Sequence, residues 1–161
     1  MQLISISLGS HDDHAMEERL AEEVRLDVTT STATFRWRDE HVSWVPRIYV
    51  APRTRRLERW LKGPVALLSV GTPPGVRGPG HEVRVFDSNS QPPAGVKKAD
   101  CLEVFFRQAL KTLFAASTFR VKPSVTVHGS RQLSAAFGGY QEDILRKALL
   151  TAGAQTVQFQ S

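Results

Sequence analysis

The most basic stretch of the chain has the residue types that suit a nucleic acid. Residues 53–62 combine cations with one aromatic ring, in Arg53, Arg55, Arg56, Arg59, Trp60 and Lys62. Guanidinium groups neutralise phosphates and an indole stacks on bases, so the pattern is typical of a nucleic-acid-binding module. The favoured interpretation is a short helix with a solvated basic face and Trp60 on the core. A third interpretation pairs this stretch with the acidic residues 12–23, within the fold or between subunits.

Other reactive side chains occur without the partners that their chemistry needs. His11 and His14 suit a transition metal, but no third ligand accompanies them, and we expect no metal site. Cys101 is the only cysteine, which excludes an internal disulfide and predicts a buried structural thiol. Residues 71–80 lack the Gly-Lys-Ser/Thr end of a Walker loop, and no Gly-x-Ser-x-Gly elbow of a hydrolase is present.

Length and composition are those of one globular domain. The chain has 161 residues, of which 41% are hydrophobic and 23% charged, and a domain holds roughly 100–200 residues. Its net charge of +5 favours acidic partners only weakly. No apolar run approaches the roughly 18–20 residues that span a bilayer, and the N-terminus lacks a basic signal-peptide region. These features predict a single cytoplasmic domain over 1–161 without a transmembrane segment.

Hydrophobic periodicity predicts an α/β fold, a mixed sheet with flanking helices. Strands come first along the chain, and a helix–strand–helix–strand unit of the βαβ type follows over residues 100–159. The predicted strands cover 3–8, 24–37 (interrupted by a polar turn at Thr29–Thr32), 42–45, 48–50, 65–70, 83–86, 125–127 and 157–159. A hairpin turn is predicted at Asp39-Glu40, and a loop of small residues over 129–139. Helices are predicted over 53–61, 100–116 and 141–151, and a helical stretch with Asp13 as its N-cap carries Met16, Leu20 and Val24 at spacings of four.

Seven segments carry a resemblance to a known family, among them a short helix at 56–61, a strand at 83–87 and the start of a long helix at 102–106. Residues 26–33 resemble a phosphate loop of the Asp-Leu-Gly-Thr type, and residues 42–50 resemble the strands that follow it, with a proline in the same place. Residues 122–127 and 146–154 resemble a later strand and a helix that ends in Ala-Gly-Ala. In this order they are similar to the first half of MreB, the bacterial actin-like rod-shape-determining family. Residues 24–160 then form an MreB-like half domain, and residues 1–23 form an N-terminal extension.

The resemblance implies the first domain of the actin-like ATPase (ribonuclease H-like) fold. That family holds ATP and a divalent ion between two domains, and this chain supplies only the first. By resemblance, Asp27 positions a hydrated ion, while Thr30 and Thr32 donate hydroxyls to phosphate. The residue that orients the attacking water aligns with Gln141, and Glu142 follows it.

Three departures from the family weaken the nucleotide site. Thr29 stands where the family has glycine, and its Cβ obstructs a close approach of the backbone to phosphate or forbids a positive φ. Gln141 cannot accept a proton, and the second phosphate loop belongs to the missing half. The alternative interpretation of Asp27 and residues 29–32 is a polar hairpin turn whose hydroxyls bond their own backbone.

These observations predict a non-catalytic actin-like interaction module related to the bacterial cell-shape cytoskeleton. No cofactor is expected, and ATP with magnesium follows from the resemblance alone. A half domain exposes its former interdomain face, so we expect self-association or docking on a protein partner, or coverage by residues 1–23. The alternatives are a nucleotide-binding switch or ATPase completed in trans, and a nucleic-acid-binding module using residues 53–62.

Overall fold

Eight strands, two α-helices and a short 3-10 helix make up the described part of the chain. The computed structural model describes residues 22–52, 65–75, 80–117, 122–133 and 141–160, without the side chain of Gln141. The strands are β1 (Glu23–Val28), β2 (Ala33–Trp37), β3 (Glu40–Trp44), β4 (Arg47–Pro52), β5 (Val65–Val70), β6 (His81–Arg84), β7 (Ser124–His128) and β8 (Thr156–Gln160). The helices are α1 (Lys98–Leu113), the 3-10 helix (Ser130–Leu133) and α2 (Gln141–Ala152).

Five strands form a mixed sheet in the order β3-β2-β1-β7-β8. The meander β1-β2-β3 is antiparallel, whereas β7 runs parallel to both β1 and β8. The parallel β7–α2–β8 connection confirms the predicted βαβ unit. The mixed sheet with helices after its strands confirms the α/β class.

Alternation along the strands gives this sheet one apolar and one polar face. Val24, Leu26 and Val28 of β1 are buried, and the intervening residues of β1 are polar. Both helices pack on the apolar face and on each other, and Arg107 of α1 donates to the Thr151 carbonyl of α2 at 3.1 Å. The opposite face, called here the open face, is polar across all five strands. It consists of Glu23, Arg25, Asp27, Thr34, Arg36, His41, Ser43, Ser124, Thr126, His128, Thr156, Gln158 and Gln160.

Phenylalanine rings fill the space between the sheet and α1. Phe105 and Phe106 are consecutive residues of α1, and both lie about 6 Å from the ring of Phe86 and from that of Phe35 on β2. All four side chains are almost completely buried. Burial of each contributes about 1.5–3 kcal/mol to folding, so this cluster is the main link between α1 and the sheet.

Strands β4, β5 and β6 form a separate antiparallel sheet in the order β5-β4-β6, where the sequence predicts one sheet. The chain leaves the first sheet at Val45-Pro46, since proline has no N–H to continue a ladder. The Pro46 carbonyl instead accepts from the N–H of Val85, after β6, at 3.0 Å. The strands are therefore placed correctly along the sequence, but pairing divides them between two sheets.

Element boundaries differ from the expectations by a few residues. The first hairpin turns at Arg38-Asp39, one residue before the predicted Asp39-Glu40, and Arg38 has a φ of 52°. A positive φ usually selects Gly, Asn or Asp, so the arginine gives no signal for this turn. Helix α1 begins at Lys98 and ends at Leu113, three residues before the predicted end. The helix predicted over 53–61 and the extension up to residue 21 lie outside the described residues. Val24, predicted as part of the N-terminal helical stretch, lies instead in β1, where it is buried in the alternating pattern of a strand.

Candidate functional site

The carboxyl ends of the parallel strands meet at one edge of the five-stranded sheet. Strand β1 ends at Val28, β7 at His128 and β8 at Gln160, and their register places these ends side by side. The turn 29–32 leaves this edge after β1, and Gly129 with the 3-10 helix leaves it after β7. In α/β sheets ligands bind outside the carboxyl ends of strands. This edge is therefore the candidate functional site.

The turn 29–32 is closed by its own hydroxyl groups. The Thr29 Oγ1 accepts from the N–H of Thr32 at 2.9 Å and from the N–H of Ser31 at 3.2 Å, and it lies 2.9 Å from the Thr32 Oγ1. The Thr29 N–H donates to the Thr32 carbonyl at 2.8 Å. Three backbone N–H groups that could face a phosphate are thus engaged within the turn. Thr29 also has a negative φ, unlike the glycine conformation that phosphate loops use.

Asp27 lies on the open face two residues before the turn. Its carboxylate accepts two hydrogen bonds from the Arg25 guanidinium, at 3.0 Å and 3.1 Å, and this pairing raises the pKa of Arg25. Thr34 and His128 are its neighbours on the adjacent strands. Within the described ranges no three His, Cys, Asp or Glu side chains group as metal ligands do.

A groove of about 630 Å³ separates the turn from the second sheet. Its volume lies within the range of small-molecule sites, roughly 300–1,000 Å³. Polar groups come from the turn 29–32, from the end of β6 and the residue Asp87 after it, and from the 3-10 helix, and apolar surface comes from the crossing at Val45-Pro46 and from Phe86. The lining residues are Thr30, Ser31, Val45, Pro46, Arg84, Phe86, Asp87 and Gln132.

Glu142 lies at a different cavity. It is an exposed residue in the first turn of α2, and the cavity that it lines includes Ser130 and Arg131 but none of residues 29–32. The 3-10 helix stands between the two, with Gln132 on the groove and Ser130 on the cavity. The structure does not bring Glu142 and the turn together in one pocket.

Gly129 is a residue of this edge that sequence reasoning missed. It has a φ of +86°, and a Cβ built on it lies 2.5 Å from the Val28 carbonyl oxygen. A glycine is required there because the backbone after β7 passes directly over the end of β1. The sequence signal was a glycine immediately after a strand, which the prediction treated only as the start of a loop.

An ion-pair cluster occupies the outer face of the second sheet beside the groove. Glu82 accepts from Arg84 at 2.8 Å, from the Tyr49 hydroxyl at 2.9 Å and from Arg47 at 3.4 Å. The hydrogen bond from Arg84, followed by the one from Tyr49, lowers the pKa of Glu82. Arg84 is thereby held at the rim of the groove, with its side chain still 64% exposed.

Cys101 is buried in α1, as predicted for a structural thiol. Burial raises the pKa of its thiol to about 11, although the charge of Lys98 opposes this rise. Lys98 itself donates to the carbonyls of Asp87 and Ser90 and so ties the loop between β6 and α1 to the start of α1. A thiol with this pKa is not a nucleophile near neutral pH.

The remaining sequence predictions lie outside the described residues. They include the basic stretch Arg53, Arg55, Arg56, Arg59, Trp60 and Lys62, residues 1–21 and the side chain of Gln141. In the described part, no helix combines the length and apolar character needed to cross a bilayer.

No protein-family profile matches the chain, and no curated protein is significantly similar to it in sequence.

Proposed function

We propose that the chain is an MreB-like, actin-like interaction module of the bacterial cell-shape cytoskeleton that does not hydrolyse ATP. It acts by self-association or by docking on a protein partner. The mixed α/β architecture is compatible with this proposal. The observation that carries it is the closed turn 29–32, whose backbone donors are bonded to its own groups.

The turn favours a module without catalysis for an energetic reason. To receive phosphate, the turn has to break the bonds of Thr29 Oγ1 to the N–H groups of Ser31 and Thr32. Each such bond contributes about 0.5–1.5 kcal/mol, which phosphate binding has to offset. Glu142, which the resemblance places at the water-orienting position, lines a different cavity from the turn.

The open face supplies the surface for association. In the described part of the chain no element covers the open face, whose residues are polar. A polar sheet face can associate through hydrogen bonds and ion pairs. In the described part only three large hydrophobic residues are more than a third exposed, namely Val45, Ile144 and Leu150, on separate surfaces.

Light scattering coupled to size-exclusion chromatography tests the association of the full chain. We expect a concentration-dependent oligomer whose mass is unchanged by ATP with magnesium. Gln158→Arg adds a charge to the open face and should weaken association. Gln155→Arg is the matched control, because Gln155 is equally exposed but lies in the turn before β8. A monomer at all concentrations that also binds no actin-like partner would refute the interaction module.

Thermal unfolding tests the absence of nucleotide binding. A ligand at 100 times its Kd stabilises by about 2.7 kcal/mol, which raises the Tm of a chain of this size by roughly 5–10 °C. We expect no such rise with millimolar ATP and magnesium. Thr29→Gly removes the hydroxyl that closes the turn. A rise in Tm with ATP and magnesium that is confined to this variant therefore identifies the Thr29 side chain as the group that prevents nucleotide binding.

A nucleotide-binding switch completed in trans is the second candidate, and the groove beside the turn favours it. The groove is large enough for a nucleotide, and Arg84 with the hydroxyls of Thr30 and Ser31 lies on its lining. This candidate predicts a Tm rise with ATP and magnesium only when an actin-like partner is present. Partner binding without nucleotide dependence favours the interaction module instead.

A further inference from the structure

A second cavity lies on the other side of the 3-10 helix, at the ends of β7 and β8. It has a volume of about 290 Å³ and opens beside the first turn of α2. Its lining consists of Ser130, Arg131, Glu142, Arg146, Phe159 and Gln160. This volume is at the lower limit for small-molecule sites, roughly 300 Å³, so it suits a ligand much smaller than a nucleotide.

Ser130 gives the first indication that this cavity holds a ligand. It is 3% exposed and is the only buried polar residue in the described part of the chain. No group described by the structure donates a hydrogen bond to its hydroxyl or accepts one from it. Buried hydroxyls in native proteins almost always have a partner. Among the described groups the Ser130 hydroxyl therefore has no hydrogen-bond partner, and it is available to a ligand in the cavity.

The charge of the lining indicates the class of that ligand. Among the described lining residues Arg131 and Arg146 are cations and Glu142 is an anion; Arg131 has a partner of its own, which leaves Arg146 as the cation for a ligand. The Arg146 guanidinium lies 5.0 Å from the centre of the Phe159 ring, so an aromatic face holds it on the wall of the cavity. Its carboxylate neighbour Asp143 is 3.7 Å away and 80% exposed, which makes this a weak surface pair that leaves donors for a ligand.

The start of α2 adds to the attraction for an anion. Helix α2 has 12 residues, and its first N–H groups have no partners within the helix. Glu142 and Asp143 lie in this first turn and oppose a second anion there. The ligand is therefore expected on the side of the cavity that Ser130 and Arg146 line, away from these carboxylates.

We propose that this cavity binds a small oxyanion, the phosphate or carboxylate group of a low-molecular-weight ligand. The Ser130 hydroxyl and the Arg146 guanidinium donate to it. The site is separate from the groove beside the turn 29–32. It does not depend on the proposed interaction function.

Calorimetric titration of the full chain tests the site, with inorganic phosphate and acetate as separate probes at constant ionic strength. Saturable binding of either probe supports the proposal, and the probe that binds identifies the class of oxyanion. Arg146→Gln should weaken binding roughly tenfold, and Ser130→Ala several-fold, from the loss of one hydrogen bond each. Glu142→Gln removes the opposing charge and should strengthen binding.

The control is Lys147→Gln, which removes one positive charge from α2 at an exposed residue outside the lining. It should leave affinity within twofold, whereas nonspecific attraction predicts a loss equal to that of Arg146→Gln. Equal losses overturn the proposal. So does the absence of saturation by both probes below about 10 mM. Glu142→Gln is an exposed change that leaves the core intact, so failure of this variant to strengthen binding counts directly against the site.

Discussion

Substituting Gly129 by alanine is expected to open the edge of the sheet where β1 and β7 end. The new Cβ lies 2.5 Å from the Val28 carbonyl oxygen, a backbone atom that cannot rotate away. Alanine also has to adopt a φ of +86°. Strain at a positive φ costs about 1–3 kcal/mol, and overpacking costs another 1–3 kcal/mol. The free energy of unfolding should therefore fall by about 2–6 kcal/mol, a large part of the 5–15 kcal/mol typical of a domain.

Two other glycines separate these contributions. Gly153 follows α2 with a φ of +119° and no described atom within 4 Å of its added Cβ, so Gly153→Ala measures backbone strain alone. Gly75 has neither a positive φ nor a described neighbour within 4 Å, so Gly75→Ala should be nearly neutral. Urea unfolding monitored by circular dichroism gives the free energy of unfolding of all three variants, compared at a common m-value.

The ranking of the three variants by free energy of unfolding tests the contact between residue 129 and the Val28 carbonyl. We expect Gly129→Ala to be the most destabilising, Gly153→Ala intermediate and Gly75→Ala within about 0.5 kcal/mol of the parent. Equal losses for Gly129→Ala and Gly153→Ala would show that the contact with the Val28 carbonyl has no energetic consequence. The close approach of the two strand ends would then be refuted.

Two further predictions follow from ionisation. The pKa of Glu82 is lowered from its ordinary value of 4.5 by Arg84; its stabilising contribution is therefore present above pH 4.5 and is lost as pH falls through the lowered value. Urea unfolding at pH 7 and pH 3 should show a smaller loss of stability on acidification for Glu82→Gln than for the parent, and equal losses would contradict the ion pair. Burial raises the pKa of Cys101 to about 11, so a thiol reagent at pH 8 should react slowly with the folded chain and quickly in urea. Rapid reaction of the folded chain would contradict the buried thiol.

The sequence contained enough local information to locate most elements. Alternation along β1 and β2 and the apolar stripe of α1 are periodic patterns, and the two periods, 2.0 and 3.6, distinguish strand from helix. The hydroxyl-rich residues 29–32 were also interpretable, because their bonds run between near neighbours in sequence. The first hairpin turn was predicted one residue too late, because an arginine such as Arg38 does not indicate a positive φ.

Tertiary structure alone decided how these elements meet. The division of the strands into two sheets depends on the pairing of β4 with β5 and β6, and the partners are distant in sequence: the Val85 N–H donates to Pro46, 39 residues earlier. The requirement for glycine at position 129 depends on the path of β1, about a hundred residues earlier in the chain. The burial of Ser130 and the separation of Glu142 from the turn likewise follow from packing of segments distant in sequence. Periodicity and turn chemistry act over a few residues, whereas a site is formed by contacts that only the folded chain brings together.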